Sequence, residues 1–200
     1  MCSSRRYIIK TKVFESGNEQ NYLERAITIS KIKAVNSTTK ALLPHRSESI
    51  IYLEGKKYST RTQYTAKSRE LQIKMVSPEK QWNGQRAVTV PKGNGNVCYY
   101  QSVIECAKVT GFINMAIDKE MGSMNFYMIW EGFPYFHEHF INIPSVPFSR
   151  SSLSYDGKNR SGLYRFTLEA AGQSQFYFLD KNLKLVKHIW SSQGFLREIR

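Results

Sequence analysis

No stretch of this chain approaches the roughly 18 consecutive apolar residues of a transmembrane helix, and no intact signal peptide is legible before the first strand-like segment. The glycines of Pro91-Lys92-Gly93-Asn94-Gly95-Asn96 are followed by no Lys-Ser or Lys-Thr at Walker spacing. They also lack the strand, Gly-x-Gly-x-x-Gly and helix context of a dinucleotide fold, so this segment reads as a mobile loop rather than a phosphate cradle. No Gly-x-Ser-x-Gly elbow is present, which leaves nucleophilic hydrolysis unsupported, and no cofactor signature stands out. Acidic residues are scarce, 16 against 29 Lys and Arg, for a net charge of +13. Such a surplus suits an anionic partner such as nucleic acid or phospholipid headgroups, and equally a plain solvated surface.

Cysteine is also rare, with three in 200 residues. Met1-Cys2-Ser3-Ser4 has the look of a bacterial lipoprotein beginning at its mature cysteine, which makes Cys2 a lipidation candidate. Cys98 and Cys106 then remain as a disulfide candidate. On one continuous helix, eight residues would separate them by about 12 Å of rise, too far to bridge. If the helix instead starts near the capping-box pattern Ser102-Val103-Ile104-Glu105, Cys98 lies before it and folds back on Cys106. Two reduced, partly buried cysteines are the alternative.

What the chain does contain is apolar and aromatic residues, 41% hydrophobic and 13% aromatic with 12 Tyr and 11 Phe, which favours a folded, β-rich protein. Residues 1–4 read as an N-terminal tail and 5–200 as one domain. Alternating segments bounded by turn signals give about eleven strands. Among them, Thr60, Thr62 and Tyr64 share one face, and Leu71, Ile73 and Met75 alternate with Gln72 and Lys74. The exception is the helical insert at about 97–121, where Tyr100, Ile104, Ala107, Gly111 and Met115 recur at helical spacing. It reads as a loop, a capped helix from about Val103, and a second short helix after Gly111. The expected class is α+β, a large curved antiparallel sheet forming an open half-barrel packed on one or two short helices. Tyr100, Ile104, Phe112, Met115, Trp130 and Tyr135 are the expected lining of an apolar ligand pocket between the two.

The tail Gln175-Phe176-Tyr177-Phe178-Leu179-Asp180-Lys181-Asn182-Leu183-Lys184-Leu185-Val186-Lys187, together with the Cys2 start, resembles the bacterial periplasmic lipoprotein-localisation factors (the LolA and LolB type) and related envelope half-barrel domains. The resemblance implies a membrane-anchored periplasmic protein that binds a lipid-like hydrophobic ligand without catalysis. Basic residues near the anchor, Arg5, Arg6, Lys10 and Lys12, would add attraction to a membrane surface.

Other constellations carry less. Phe136-His137-Glu138-His139-Phe140 supplies two imidazoles on one strand face, half of a zinc site, and His45 and His188 would have to complete it; strand histidines without metal are the commoner case, so no metal is expected. Glu131 and Glu138 flank an aromatic stretch, but a glycosidase needs a set carboxylate separation, and core lining is the simpler role. A basic module for nucleic acid or another polyanion is the alternative function. It requires aromatics such as Tyr58 and Tyr64 to be exposed beside Arg61 and Lys67.

Overall fold

The computed structural model describes residues 4–15, 18–32, 43–44, 46–53, 56–92, 96–135, 142 and 144–198. Its class is α+β, with mostly antiparallel sheets and two short helices. Among the described residues the strands divide among three sheets, none closed into a barrel. A three-stranded sheet holds β1 (Ser4–Glu15), β2 (Asn18–Ile32) and β3 (Leu43–Pro44), and a four-stranded sheet holds β4 (Arg46–Leu53), β5 (Lys56–Thr65), β6 (Glu70–Val76) and β7 (Gly84–Thr89). The seven-stranded sheet contains β8 (Asn96–Tyr99), β9 (Ser123–Ile129), β10 (Phe148–Lys158), β11 (Tyr164–Ala170), β12 (Gln173–Leu179), β13 (Leu185–Trp190) and β14 (Phe195–Glu198). In space it runs from β14 in reverse chain order to β8, so β9 to β14 form an antiparallel meander.

Local chemistry accounts for most of these elements. In β5, Tyr58, Thr60, Thr62 and Tyr64 are buried while Arg61 and Thr65 are exposed, the period of two of a sheet with one wet face. The β11–β12 hairpin turns on Ala171 and Gly172, both at positive φ, as a two-residue connection requires. After β12, the Asp180 carboxylate accepts from the backbone N–H groups of Asn182 and Lys184 and closes the next turn. Asp156-Gly157 has turn chemistry too, yet it lies inside β10, where the register against β11 shifts as a bulge. The reversal falls at Asn159, whose side-chain carbonyl accepts from the N–H groups of Ser161 and Leu163.

The helical insert folds as α1 (Val103–Val109) and α2 (Phe112–Asp118), broken at Gly111, which sits at φ 79°. The capping box does not form. A 3-10 turn over Tyr100–Ser102 feeds straight into α1, so the Ser102 hydroxyl points back to the Tyr99 carbonyl at 3.5 Å instead of capping the helix. The segment before it is a strand rather than a loop: β8 pairs parallel to β9, with the helices as the crossover between them.

Neighbouring residues of β8 face opposite ways, and this fixes three layers. The Cys98 sulfur is bonded to that of Cys106 on α1, whereas the Tyr99 phenol, one residue on, reaches the Thr62 carbonyl of β5 at 3.5 Å. The helices therefore cover one face of the seven-stranded sheet, and the four-stranded sheet packs at the other face of its β8 edge. Breaking the covalent tie with Cys98→Ala and Cys106→Ala is expected to cost about 2–3 kcal/mol, the value for so short a loop, read from urea denaturation midpoints. Equal midpoints with and without reductant would contradict this.

Candidate functional site

The inner face of the seven-stranded sheet collects the side chains with most chemical content. Register sets Gln175 opposite Leu168 and Tyr177 opposite both Phe166 and His188. Gln175, Tyr177, His188 and Trp190 thus point together under the helical layer, and Tyr100 reaches them from the 3-10 turn. The Gln175 side-chain oxygen accepts from the Tyr100 phenol at 2.9 Å and from His188 Nε2 at 2.8 Å, with the Tyr177 phenol a weaker third at 3.5 Å. The Gln175 amide nitrogen is buried with no partner among the described residues. His188 stacks on Tyr177 with ring centroids 4.2 Å apart, and burial followed by the nearby Arg197 charge lowers its pKa to about 3. It is a neutral imidazole across the physiological range, donating through Nε2–H. Burial pushes the Tyr177 phenol well above its usual value, so it stays protonated as well.

Aromatic rings close this cluster. Tyr100 packs on Trp130 at 5.0 Å and Trp190 at 6.0 Å, and the two indoles stack at 6.3 Å. The indole N–H of Trp130 donates to Ser149 and that of Trp190 to Gln173, so neither ring carries an unsatisfied donor inward.

Five of the six expected pocket residues, Tyr100, Ile104, Phe112, Trp130 and Tyr135, are side chains of one hydrophobic core cluster, with different ring partners. Phe112 meets Phe166 at 6.3 Å, while Tyr135 meets Tyr58 at 4.9 Å and donates its hydroxyl to the Trp82 carbonyl. The sixth, Met115, is 42% exposed on the outer side of α2, because α2 turns Phe112, Ile113 and Ala116 to the sheet instead. Between helix and sheet, Tyr100, Phe112, Trp130 and Trp190 are buried.

Glu131 is a second buried polar centre, in the turn after β9. Its carboxylate takes the Ser47 hydroxyl of β4 at 3.3 Å and the Gln101 backbone N–H at 2.7 Å, joining the two large sheets to the 3-10 turn. The intended partner Glu138 lies outside the described residues, as do His45, His137, His139 and Cys2. Among the described residues no group of three or more His, Cys, Asp or Glu is arranged to hold a metal, and no helix is long and apolar enough to cross a membrane.

Sequence reasoning missed the exposed faces, which depend on register. On the four-stranded sheet, Arg46, Lys57, Arg61 and Lys74 share the outer side with Glu48 and Glu70, whereas Tyr58 and Tyr64 point inward and are buried. The buried apolar residues face in and these charges face out, with Val76, 50% exposed, also on the outer side. No family model, curated protein or solved structure matches this chain.

Proposed function

We propose that this chain is a non-catalytic, envelope-associated binding protein that docks on an anionic lipid surface through the outer face of its four-stranded sheet. The carrying observation is the cluster of Arg46, Lys57, Arg61 and Lys74 on that one face. Charge is lopsided along the chain in the same sense: residues 1–92 hold 18 of the 29 Lys and Arg but only 7 of the 16 Asp and Glu. Arg61 is tied to Glu48 at 3.3 Å, which leaves Arg46, Lys57 and Lys74 with no ion pair among the described residues. Tyr58 and Tyr64, the rings that a single-stranded nucleic-acid groove would need beside Arg61, are turned inward and buried, so electrostatic attraction to headgroups fits better. The Cys98–Cys106 disulfide also suits an oxidising compartment.

Each Lys or Arg near an anionic bilayer contributes about 1 kcal/mol of attraction. The triple substitution Lys57→Gln, Arg61→Gln, Lys74→Gln is therefore expected to lower partitioning onto phosphatidylglycerol vesicles by roughly a hundredfold at low salt. Sedimentation with labelled vesicles measures it. Equal binding to phosphatidylcholine vesicles, or no loss in the triple variant, would remove the proposal, and tighter binding to an oligonucleotide would restore the nucleic-acid reading.

A lipid-like ligand handled at the helical layer is the second reading, favoured by Met115 and Met121, exposed by 42% and 68% around α2. Flexible thioether side chains suit adaptable apolar contacts. Tyr100, Ile104, Phe112 and Trp130 are buried in the interior beneath α1 and α2, where an acyl chain would meet them. Native mass spectrometry of protein from its own host, reading bound lipid and acylation of Cys2, separates this from surface docking alone.

A further inference from the structure

The outer face of β9, β10 and β11 carries a cleft of about 300 Å³ lined by Asn125, Arg150, Ser152, Glu169 and the Ala171-Gly172 turn. We infer that this cleft is a binding site for a small zwitterion bearing a phosphate or carboxylate at one end and a primary ammonium at the other. The reading is independent of the basic face on the four-stranded sheet.

Register builds the site. Asn125 pairs with Ser152 and Ser152 with Glu169, forming one row across three strands. Arg150 lies two residues before Ser152 on the same side of β10, opposite Tyr127, which makes it the diagonal neighbour of Glu169. Such diagonal pairs stand about 7–8 Å apart, within reach of two long side chains of opposite charge. Arg150 and Glu169 nevertheless form no ion pair with each other. Each is held back by its own partner: Arg150 Nε donates to the Tyr127 hydroxyl at 3.3 Å, with the guanidinium 6.0 Å from that ring centre, and Glu169 accepts from the Ser174 hydroxyl at 2.6 Å.

The cleft is therefore flanked by a cation and an anion that are anchored and kept apart. The terminal nitrogens of Arg150 remain available for a bidentate contact to an oxyanion. The second Glu169 oxygen remains available for an ammonium N–H. The Asn125 amide and Ser152 hydroxyl, neither hydrogen-bonded to a described side chain, add neutral contacts between them. Anchored charges lose little freedom on binding, so the geometry favours a ligand that bridges them over either ion alone.

Titration of the full-length protein with phosphoethanolamine, followed by backbone amide NMR, tests this. Saturable shifts are expected at Asn125, Arg150, Glu169 and Gly172. Arg150→Gln and Glu169→Gln should each weaken binding by about tenfold while leaving the thermal midpoint unchanged, since both side chains are on the surface. Phosphocholine, which has no N–H for Glu169, should bind as weakly to the native protein as phosphoethanolamine does to Glu169→Gln. Competition by phosphatidylethanolamine vesicles would identify a lipid headgroup as the source of the ligand, and its absence a free soluble zwitterion. Absent or non-saturable shifts, equal binding of phosphocholine, or indifference to both substitutions would overturn the inference.

Discussion

Replacing Trp130 with alanine is expected to lower the unfolding free energy by about 3–5 kcal/mol, the range for deleting a buried indole. Trp130 is fully buried and sits where three elements meet: its ring packs with Tyr100 and Trp190, which also touch each other, and its indole N–H donates to Ser149 of β10 at 3.1 Å. Alanine leaves an indole-sized void that the neighbouring strands cannot collapse into, because their own hydrogen-bonded register holds them apart. It also strands the Ser149 hydroxyl, although Ser151 at 3.4 Å takes up part of that loss. For a chain of this size the change corresponds to a fall in thermal midpoint of roughly 10 °C. Circular dichroism gives the midpoint, and Trp130→Phe, which keeps one aromatic ring and loses the indole donor and part of the ring volume, should recover more than half of the loss. A midpoint within about 2–3 °C of native for Trp130→Ala, well short of the roughly 6 °C that even 3 kcal/mol would produce, would show that this junction does not hold the layers together.

Acidification is the second large effect, and it runs through His188. The imidazole pKa falls from 6.5 to about 3 in the fold, chiefly because burial penalises the charged ring, with the Arg197 guanidinium adding repulsion. Above pH 6.5 the ring is neutral in both the folded and unfolded chain and stability does not respond to it. Between 6.5 and 3 the unfolded chain binds a proton that the folded chain refuses, so stability falls as pH falls. The limiting slope is about 1.4 kcal/mol per pH unit, or about 2 kcal/mol lost between pH 6.5 and 4.5, before ordinary carboxylates titrate strongly. His188→Gln should flatten this slope, at the cost of the stack on Tyr177 and with the Gln175 contact remade by its amide. Urea titrations of both proteins at pH 7, 5.5 and 4.5 provide the test; parallel pH profiles would mean that His188 is not the responsible group.

Both effects depend on residues whose positions were only partly legible in advance. Trp130 is marked in the sequence as an apolar residue at the end of a strand-like run, and its burial follows from that. Its partners do not, since Tyr100 and Trp190 are 30 and 60 positions away in the chain. His188 is less legible still. The sequence offers it as a spare metal ligand, whereas the β12–β13 register sets it beside Gln175 and Tyr177 and makes it a neutral core residue. Met115 shows the reverse error: helical spacing places it with Tyr100 and Ile104, but the break at Gly111 starts a new helix with its own rotation, and the stripe does not continue across it.

Sequence alone determined the α+β class, the alternating strands β5 and β6, the split of the helical insert at Gly111 and most of the hairpin turns. These are local properties, written in side-chain period, backbone freedom and short-range hydrogen bonding. Tertiary structure decided the parallel β8–β9 pairing, the division into separate sheets and the company kept by Glu131, Gln175 and His188. Each of those rests on contacts between distant segments, where a shift of one residue in register turns every side chain to the opposite face. Local pattern states that one face is buried and leaves open what buries it.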